Sequence, residues 1–487
     1  MSTKISDQSP VAKGKTESLL FLALFLYFMG KTVYLALRIR ERVFADENSW
    51  FRISSIFSRV SWLPSDSPES HPFGLVTHIP SLYFLLMGKT LCLNIFGMDD
   101  LIFLRLVNTL LGGLTVWFAW KLIQRLSDSL PVRLLFFAML TNSMMLTFTF
   151  SSVSYDNLTT LLAVLTLYFL VQAFQDGGSR GFLLFGLFLL AGCLTKNVFL
   201  PYGAGLVLAS LVLFRQRLGS LKQGLVSLLS RPGMVNGLLL AGCLVLLAAN
   251  LKLYAGNMVT YGQLVPTMDQ VLPLEDCLKN RLFARNHAAQ MYKEGKIGLE
   301  EAQRLALQVR EPGDRAFAWS LLAKETEERS KPAQRMGRLA YTLEWCSYMV
   351  ARTYSVAGHL AMLKTERGLL PFEAVFMLAA IMLILRFRSG VMAGINKYLM
   401  FVTAFYSIIL MQVINYNLYW YSGFAGLSLT GRYLFPVLVP LYLLIAKVFL
   451  EKMPRWWQIS AGLAIAIIFI SGEFPWFLMN LTKEWLF

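Results

Sequence analysis

Apolar runs dominate the chain, and their lengths decide its class. Mostly apolar stretches cover about 17–37, 101–121, 133–150, 157–174, 182–196, 198–214, 235–252, 369–386, 397–416, 433–450 and 456–474. A helix needs about 20 such residues to cross a bilayer, so each of these predicts a spanning helix. Two further stretches, 76–96 and 346–363, are interrupted, the first by Pro80 and Lys89, the second by Arg352 and His359. The expected fold class is therefore all-α: a polytopic transmembrane helical bundle of about 11–13 spans, with exoplasmic juxtamembrane helices and a small helical exoplasmic insertion. Three parts are expected. They are an N-terminal transmembrane catalytic module over 1–252 with a first exoplasmic loop at 38–100, an insertion over 253–368, and C-terminal transmembrane helices over 369–487. The insertion holds two charged, helix-favouring stretches, 295–310 and 315–338, and Pro266, Pro273, Pro312 and Pro332 rule out a continuous coiled coil there.

Composition agrees with a membrane protein. Of the 487 residues, 56% are hydrophobic and only 15% charged, and the mean hydropathy is +0.54; a soluble chain carries about a quarter charged. The net charge of +16 does not point to nucleic acid, because the basic residues sit in short stretches between apolar runs rather than beside stacking aromatics. Membrane topology and anionic lipid account for it. The polar start with Lys4, Lys13 and Lys15 precedes an apolar run ending in Arg38, Arg40 and Arg42 without a small-residue cleavage site, the pattern of a retained signal anchor. Cys277 and Cys346 flank the polar, charged part of the insertion and can pair if it faces an oxidising compartment. No metal-ligand spacing is present in the sequence, and neither a metal nor another cofactor is expected.

Short basic loops orient the chain. Arg215, Arg217, Lys222 and Arg231 mark one cytoplasmic loop; Arg386, Arg388 and Lys397 mark a second, Lys452 and Arg455 a third, and Lys121, Arg125 and Arg133 a fourth. With the basic N-terminus inside, all agree if 76–96 and 346–363 do not cross, which selects eleven spans. The segment 38–100, the turns at 151–157 and 195–197, the insertion and the 417–432 loop then share the exoplasmic face. That face collects the residues able to carry chemistry. Asp46 and Glu47 follow the first helix; they are either a solvated acidic pair or a general base with a partner that orients it. His71 and His78 lie among prolines at the interface and are either interfacial residues or donors to a phosphate. Asp156 either caps a helix or joins the site, Lys196 either snorkels or binds an anion, and Arg432, next to Tyr433, requires an anionic partner at the start of an apolar helix.

The order of these elements resembles GT-C glycosyltransferases, closest to the aminoarabinose-transferase and protein O-mannosyltransferase-like group. The resemblance rests on Asp46-Glu47, on His78-Ile79-Pro80-Ser81-Leu82-Tyr83 and on Phe96-Gly97 through Arg105. It rests further on Ser154-Tyr155-Asp156, Leu194-Thr195-Lys196, Tyr261-Gly262 and Gly431-Arg432-Tyr433. It implies inverting transfer of a sugar from a polyprenyl-phosphate donor to an acceptor hydroxyl on a glycan, lipid or protein. Asp46 would then be the catalytic base, with Glu47 and Asp156 beside it, and Lys196, Arg432, Tyr433, His78 and His71 would bind the donor phosphate. His78 stands where relatives often carry a lysine, so Lys196 and Arg432 are the stronger phosphate candidates. The implied setting is the bacterial inner membrane, with the N-terminus cytoplasmic and the site periplasmic. The alternatives are a ligase or polymerase of lipid-linked glycans, a lipid or solute transporter, and a non-catalytic scaffold. Transport fits less well, since no internal repeat is evident and the charges lie at one interface rather than at the midplane.

Overall fold

The computed structural model describes residues 10–487 apart from 62, 96, 177, 214–232, 331–333, 359, 393 and 428. The basic loop with Arg215, Arg217, Lys222 and Arg231 lies outside the described residues, as do Lys4, Phe96, Pro332, His359 and the side chains of Lys13 and Lys15. The first half of the chain folds into α1 (Pro10–Arg38), α2 (Glu47–Ser58), α3 (Leu82–Leu91), α4 (Asp100–Leu126), α5 (Leu130–Thr141), α6 (Met144–Phe150), α7 (Tyr155–Asp176), α8 (Ser179–Cys193) and α9 (Phe199–Leu213). Long helices then cover Met234–Tyr261, Glu366–Arg386, Ile395–Ser422, Gly431–Leu450 and Arg455–Asn480. Among the described residues, eight helices are long and apolar enough to cross a membrane, or nine if the bent pair α5 and α6 forms one span. The 15-residue helices α8 and α9 are apolar but shorter. The protein is an almost entirely helical, multi-pass integral membrane protein.

Among the described residues, neither interrupted stretch forms a helix that meets the length and apolarity of a spanning one. Within 76–96 the helix α3 has 10 residues, about 15 Å against a hydrocarbon core of about 30 Å. It lies flat on α2, so close that a Cβ on Gly88 would stand 2.6 Å from the Ser54 carbonyl oxygen. In the second stretch, the helix Arg338–Tyr354 gives way to a short antiparallel hairpin pairing Val356 with Met362.

The 133–150 run, expected as one helix, is bent by 62° between α5 and α6. Asn142 and Ser143 turn their side chains back onto the α5 carbonyls of Ala138 and Met139, at 2.8 and 2.9 Å, and compete with the backbone for those acceptors. Lys31 of α1 then donates to the freed Thr141 carbonyl at 2.5 Å and pairs with Glu473 at 2.6 Å. An ion pair so deeply buried holds together the first and last helices of the bundle.

The centre is formed by α7 and Gly431–Leu450, both largely buried, whereas the apolar length of Met234–Tyr261 is almost wholly exposed and suited to face lipid. Two long helices carry π-helical segments, Leu251–Ala255 and Ile409–Asn415, which the apolar pattern does not reveal. The first lies within a helix that continues to Tyr261, past residue 253. Beyond it, Arg281–Lys293, Leu299–Leu307 and Pro312–Ser330 pack around an alanine-rich core that includes Ala288, Ala302, Ala306 and Ala318. Pro312 opens its helix rather than breaking it, because a first-turn N–H has no helical partner to lose. Cys277 is buried and Cys346 exposed, and neither is in a disulfide.

Charged contacts separate the two ends of the bundle. At one end Arg133 meets Glu17 at 2.5 Å, Arg125 meets Asp176 at 3.2 Å and Lys447 donates to the Leu126 carbonyl at 2.6 Å. The opposite end carries the candidate site.

Candidate active site

Four charged side chains from four separate helix boundaries form one chain of contacts. Arg432 donates to Asp46 at 3.0 Å, and its other amino group lies 3.6 Å from Asp156. Asp156 in turn accepts from Lys196 at 2.5 Å. Aromatic faces enclose the cations: Trp50 lies 5.0 Å from the Arg432 guanidinium, and Tyr155 and Tyr433 lie 4.5 and 5.1 Å from the Lys196 ammonium. Burial lowers the pKa of Lys196, and the Asp156 carboxylate opposes that shift. The two carboxylates differ sharply in access. The Asp46 side chain is 41% exposed and that of Asp156 only 2%, so Asp46 can meet a substrate while Asp156 holds the two cations in place.

Asp46 sits in the left-handed region, φ 61° and ψ 0°, at the start of α2. The loop before it is wrapped around Arg105 of α4, which donates to the carbonyls of Ala36 and Ile39 at 3.1 and 2.6 Å. Glu47 closes that arrangement. It accepts from Arg105 at 2.9 and 2.6 Å and from the Val153 backbone at 3.0 Å, tying the Asp46 loop to the turn that carries Asp156. Glu47 is therefore buried and faces inward, away from the exposed Asp46. The Asp156 turn is fixed from the other side by Asn157, which donates to Asn108 at 2.8 Å, while Tyr83 donates to the same oxygen at 2.9 Å. Asn157 heads a glycosylation-like triplet yet is fully buried. Replacing Arg105 with alanine would strand the Glu47 carboxylate. Loss of one partner from a buried pair costs about 3–5 kcal/mol, so thermal unfolding of Arg105→Ala in detergent is expected at a clearly lower temperature. An unchanged melting temperature would count against this buttress.

Arg432 is positioned just as closely. Gly431 packs on the end of the Arg338–Tyr354 helix, where a Cβ would stand 2.6 Å from the Arg352 carbonyl oxygen and 2.7 Å from the Thr353 hydroxyl. Gly431→Ala is expected to shift Arg432 and cut activity at least tenfold while the protein still folds. Wild-type kinetics in that variant would show that the Arg432 placement tolerates movement.

The histidines lie in a different set of contacts. His71 Nδ1 is 3.0 Å from Asp276, whose pKa is lowered by Lys279 and His71. His78 Nδ1 is 3.2 Å from the Asn257 side-chain oxygen and its ring meets Tyr261 edge-on. Both connect the first loop to the insertion. Arg105, Trp50 and Asn108 carry the site's support; in the sequence Arg105 stands only as the end of a motif, and none of the three was assigned a role. Of these, Arg105 had a visible signal, a lone arginine inside an apolar run. Among the described residues, no group of three or more His, Cys, Asp or Glu side chains is arranged to hold a metal ion.

Beside Lys196 a cavity of about 250 Å³ opens, with Trp50, Ile53, Phe84 and Tyr155 as apolar walls and Lys196 and Asn197 as its polar end. An apolar pocket ending in a cation suits an amphiphilic anion.

Known proteins agree with this architecture. Residues 80–235 match the dolichyl-phosphate-mannose-protein mannosyltransferase family, a segment that includes Arg105, Asp156 and Lys196. No curated protein matches the chain. Among solved structures, the Archaeoglobus fulgidus oligosaccharyltransferase in complex with Zn and sulfate aligns with a TM-score of 0.52 at 11% identity, over 95% of this chain and 53% of that one. The S. cerevisiae protein O-mannosyltransferase Pmt1-Pmt2 complex bound to the sugar donor aligns at 15% identity over 52% of this chain and 35% of that one, with a TM-score of 0.35. ArnT from Cupriavidus metallidurans bound to undecaprenyl phosphate aligns at 12% identity over 96% and 81%, with a TM-score of 0.37. The chain thus spans about a third and a half of the first two relatives' lengths. The family match covers about a third of the chain, and the archaeal oligosaccharyltransferase shares its multi-pass helical fold.

Proposed function

We propose that the protein transfers a sugar, with inversion, from a polyprenyl-phosphate donor to an acceptor hydroxyl at the exoplasmic, periplasmic face of a bacterial inner membrane. The observation that carries this reading is the contact chain Asp46–Arg432–Asp156–Lys196 beside an apolar cavity. Asp46 accepts the proton of the acceptor hydroxyl as its oxygen attacks the anomeric carbon. Carbon–oxygen bond breakage leaves the lipid phosphate, whose developing charge Lys196 and Arg432 stabilise. Asp156 keeps both cations oriented, and Glu47 acts through Arg105 to hold the Asp46 loop. This orientation is supported by Arg125, Arg133, Arg386 and Lys447 at the other end of the bundle, since the positive-inside rule favours such residues on the cytoplasmic side.

The reading is tested in cells. Deleting the chain is expected to remove one sugar modification from the cell-envelope glycans, seen by mass spectrometry, and re-expression is expected to restore it. An unchanged glycan profile in the deletion strain would contradict this function.

A further inference from the structure

We propose that the larger cavity between the first loop and the insertion is the acceptor site, and that its acceptor is a carbohydrate. The proposal rests on the reading of the chain as a sugar transferase and adds the acceptor class. This cavity has a volume of about 560 Å³, within the usual range of ligand pockets. It shares Phe73 and Ile79 with the smaller cavity that ends at Lys196, so the two adjoin across one apolar wall.

One wall is a single face of the helix Arg281–Lys293. Leu282, Asn286 and Gln290 follow one another at four-residue spacing, with Phe283 beside them. The opposite face, Ala288, Ala289 and Tyr292, is buried in the insertion's own core. Folding therefore does not require the amides of Asn286 and Gln290, both of which are exposed. Asn286 accepts from Arg285 and Gln290 donates to Glu294, each at 3.0 Å; the remaining donors and lone pairs of both amides suit hydroxyl groups, while Phe73 and Phe283 offer flat apolar surfaces for the C–H face of a sugar ring. Among the described residues Asp269 is the one charged residue in the lining, and Lys296 and Arg285 stand outside it, Lys296 near Asp269 and Arg285 bonded to Asn286. The lining itself thus offers a phosphate no cation.

The pocket is held open before any acceptor arrives. Asn280 donates to the Pro72 carbonyl at 3.1 Å and accepts from the Leu282 and Phe283 amides, fixing the start of the helix against the first loop. His71 with Asp276 and His78 with Asn257 fasten the same seam. The histidines thus serve the acceptor wall, and the lysine–arginine pair serves the donor.

Saturation-transfer NMR on the full-length protein in nanodiscs tests this, with methyl glycosides of common hexoses and N-acetylhexosamines, and neutral di- and trisaccharides, as probes. At least one saccharide is expected to bind, with affinity at least tenfold weaker in the double variant Asn286→Ala, Gln290→Ala. Undecaprenyl phosphate should bind both proteins equally. Absence of any saccharide signal in the wild type, or an equal signal in the variant, would overturn the proposal. So would a blocked serine- and threonine-containing peptide that binds in place of the saccharides and is lost in the variant. Failure of undecaprenyl phosphate to bind the wild type would instead remove the donor reading, and the acceptor role with it, leaving only a sugar-binding pocket.

Discussion

Asp46→Asn is expected to lower kcat by about 10²–10⁴-fold, the usual contribution of a positioned general base, with little change in donor affinity. Asparagine isolates the chemical role unusually well at this position. The residue adopts φ 61°, which asparagine tolerates and most other residues do not. Its side-chain oxygen can still accept the Arg432 hydrogen bond now made by Asp46 at 3.0 Å. What disappears is the charge and with it the proton acceptor. Alanine would confuse the issue by adding backbone strain and releasing Arg432. The check is turnover under saturating donor, with circular dichroism and thermal unfolding to establish that the variant folds. Activity near the wild-type level would assign the base elsewhere.

Arg432→Ala should have a different signature. Removing it deletes a permanently charged, two-pronged donor that contacts both Asp46 and Asp156, and leaves Lys196 as the cation beside Asp156. Hydrogen bonds to charged groups contribute about 1.5–3 kcal/mol, so polyprenyl-phosphate affinity should weaken by roughly ten- to a hundredfold. Turnover should fall as well, because the same group meets the phosphate as it leaves. Arg432→Lys should recover part of the affinity but not the bridge between the two carboxylates, and its rate should stay well below wild type. A variant with unchanged affinity and turnover would remove Arg432 from the donor site.

The four members of the charged chain were legible because each interrupts the apolar pattern at a helix boundary. Asp46 follows α1, Asp156 sits in the first turn of α7, Lys196 separates α8 from α9, and Arg432 precedes a central helix. Reading the topology placed them at one end, and the distances now join them. The short helix α3 was also within reach, since Pro80 and Lys89 weaken the run that contains it. Other features depend on contacts between distant parts of the chain. His71 meets Asp276 and His78 meets Asn257 across some two hundred residues, and no local pattern encodes such a partner. The α5–α6 bend arises from two side chains competing for carbonyls and from Lys31 on another helix. Counting apolar residues passes over all three. The π-helical segments were equally hidden, because one extra residue per turn leaves composition unchanged.

Titration of undecaprenyl phosphate against wild type, Asp46→Asn and Arg432→Ala, in one detergent at one pH, tests the donor site most directly. The expected result is saturable binding to the wild type, near-equal binding to Asp46→Asn and binding at least tenfold weaker to Arg432→Ala. Equal affinity in all three proteins, or no saturable binding to the wild type, would contradict a lipid-phosphate site built on the Arg432–Asp156–Lys196 chain.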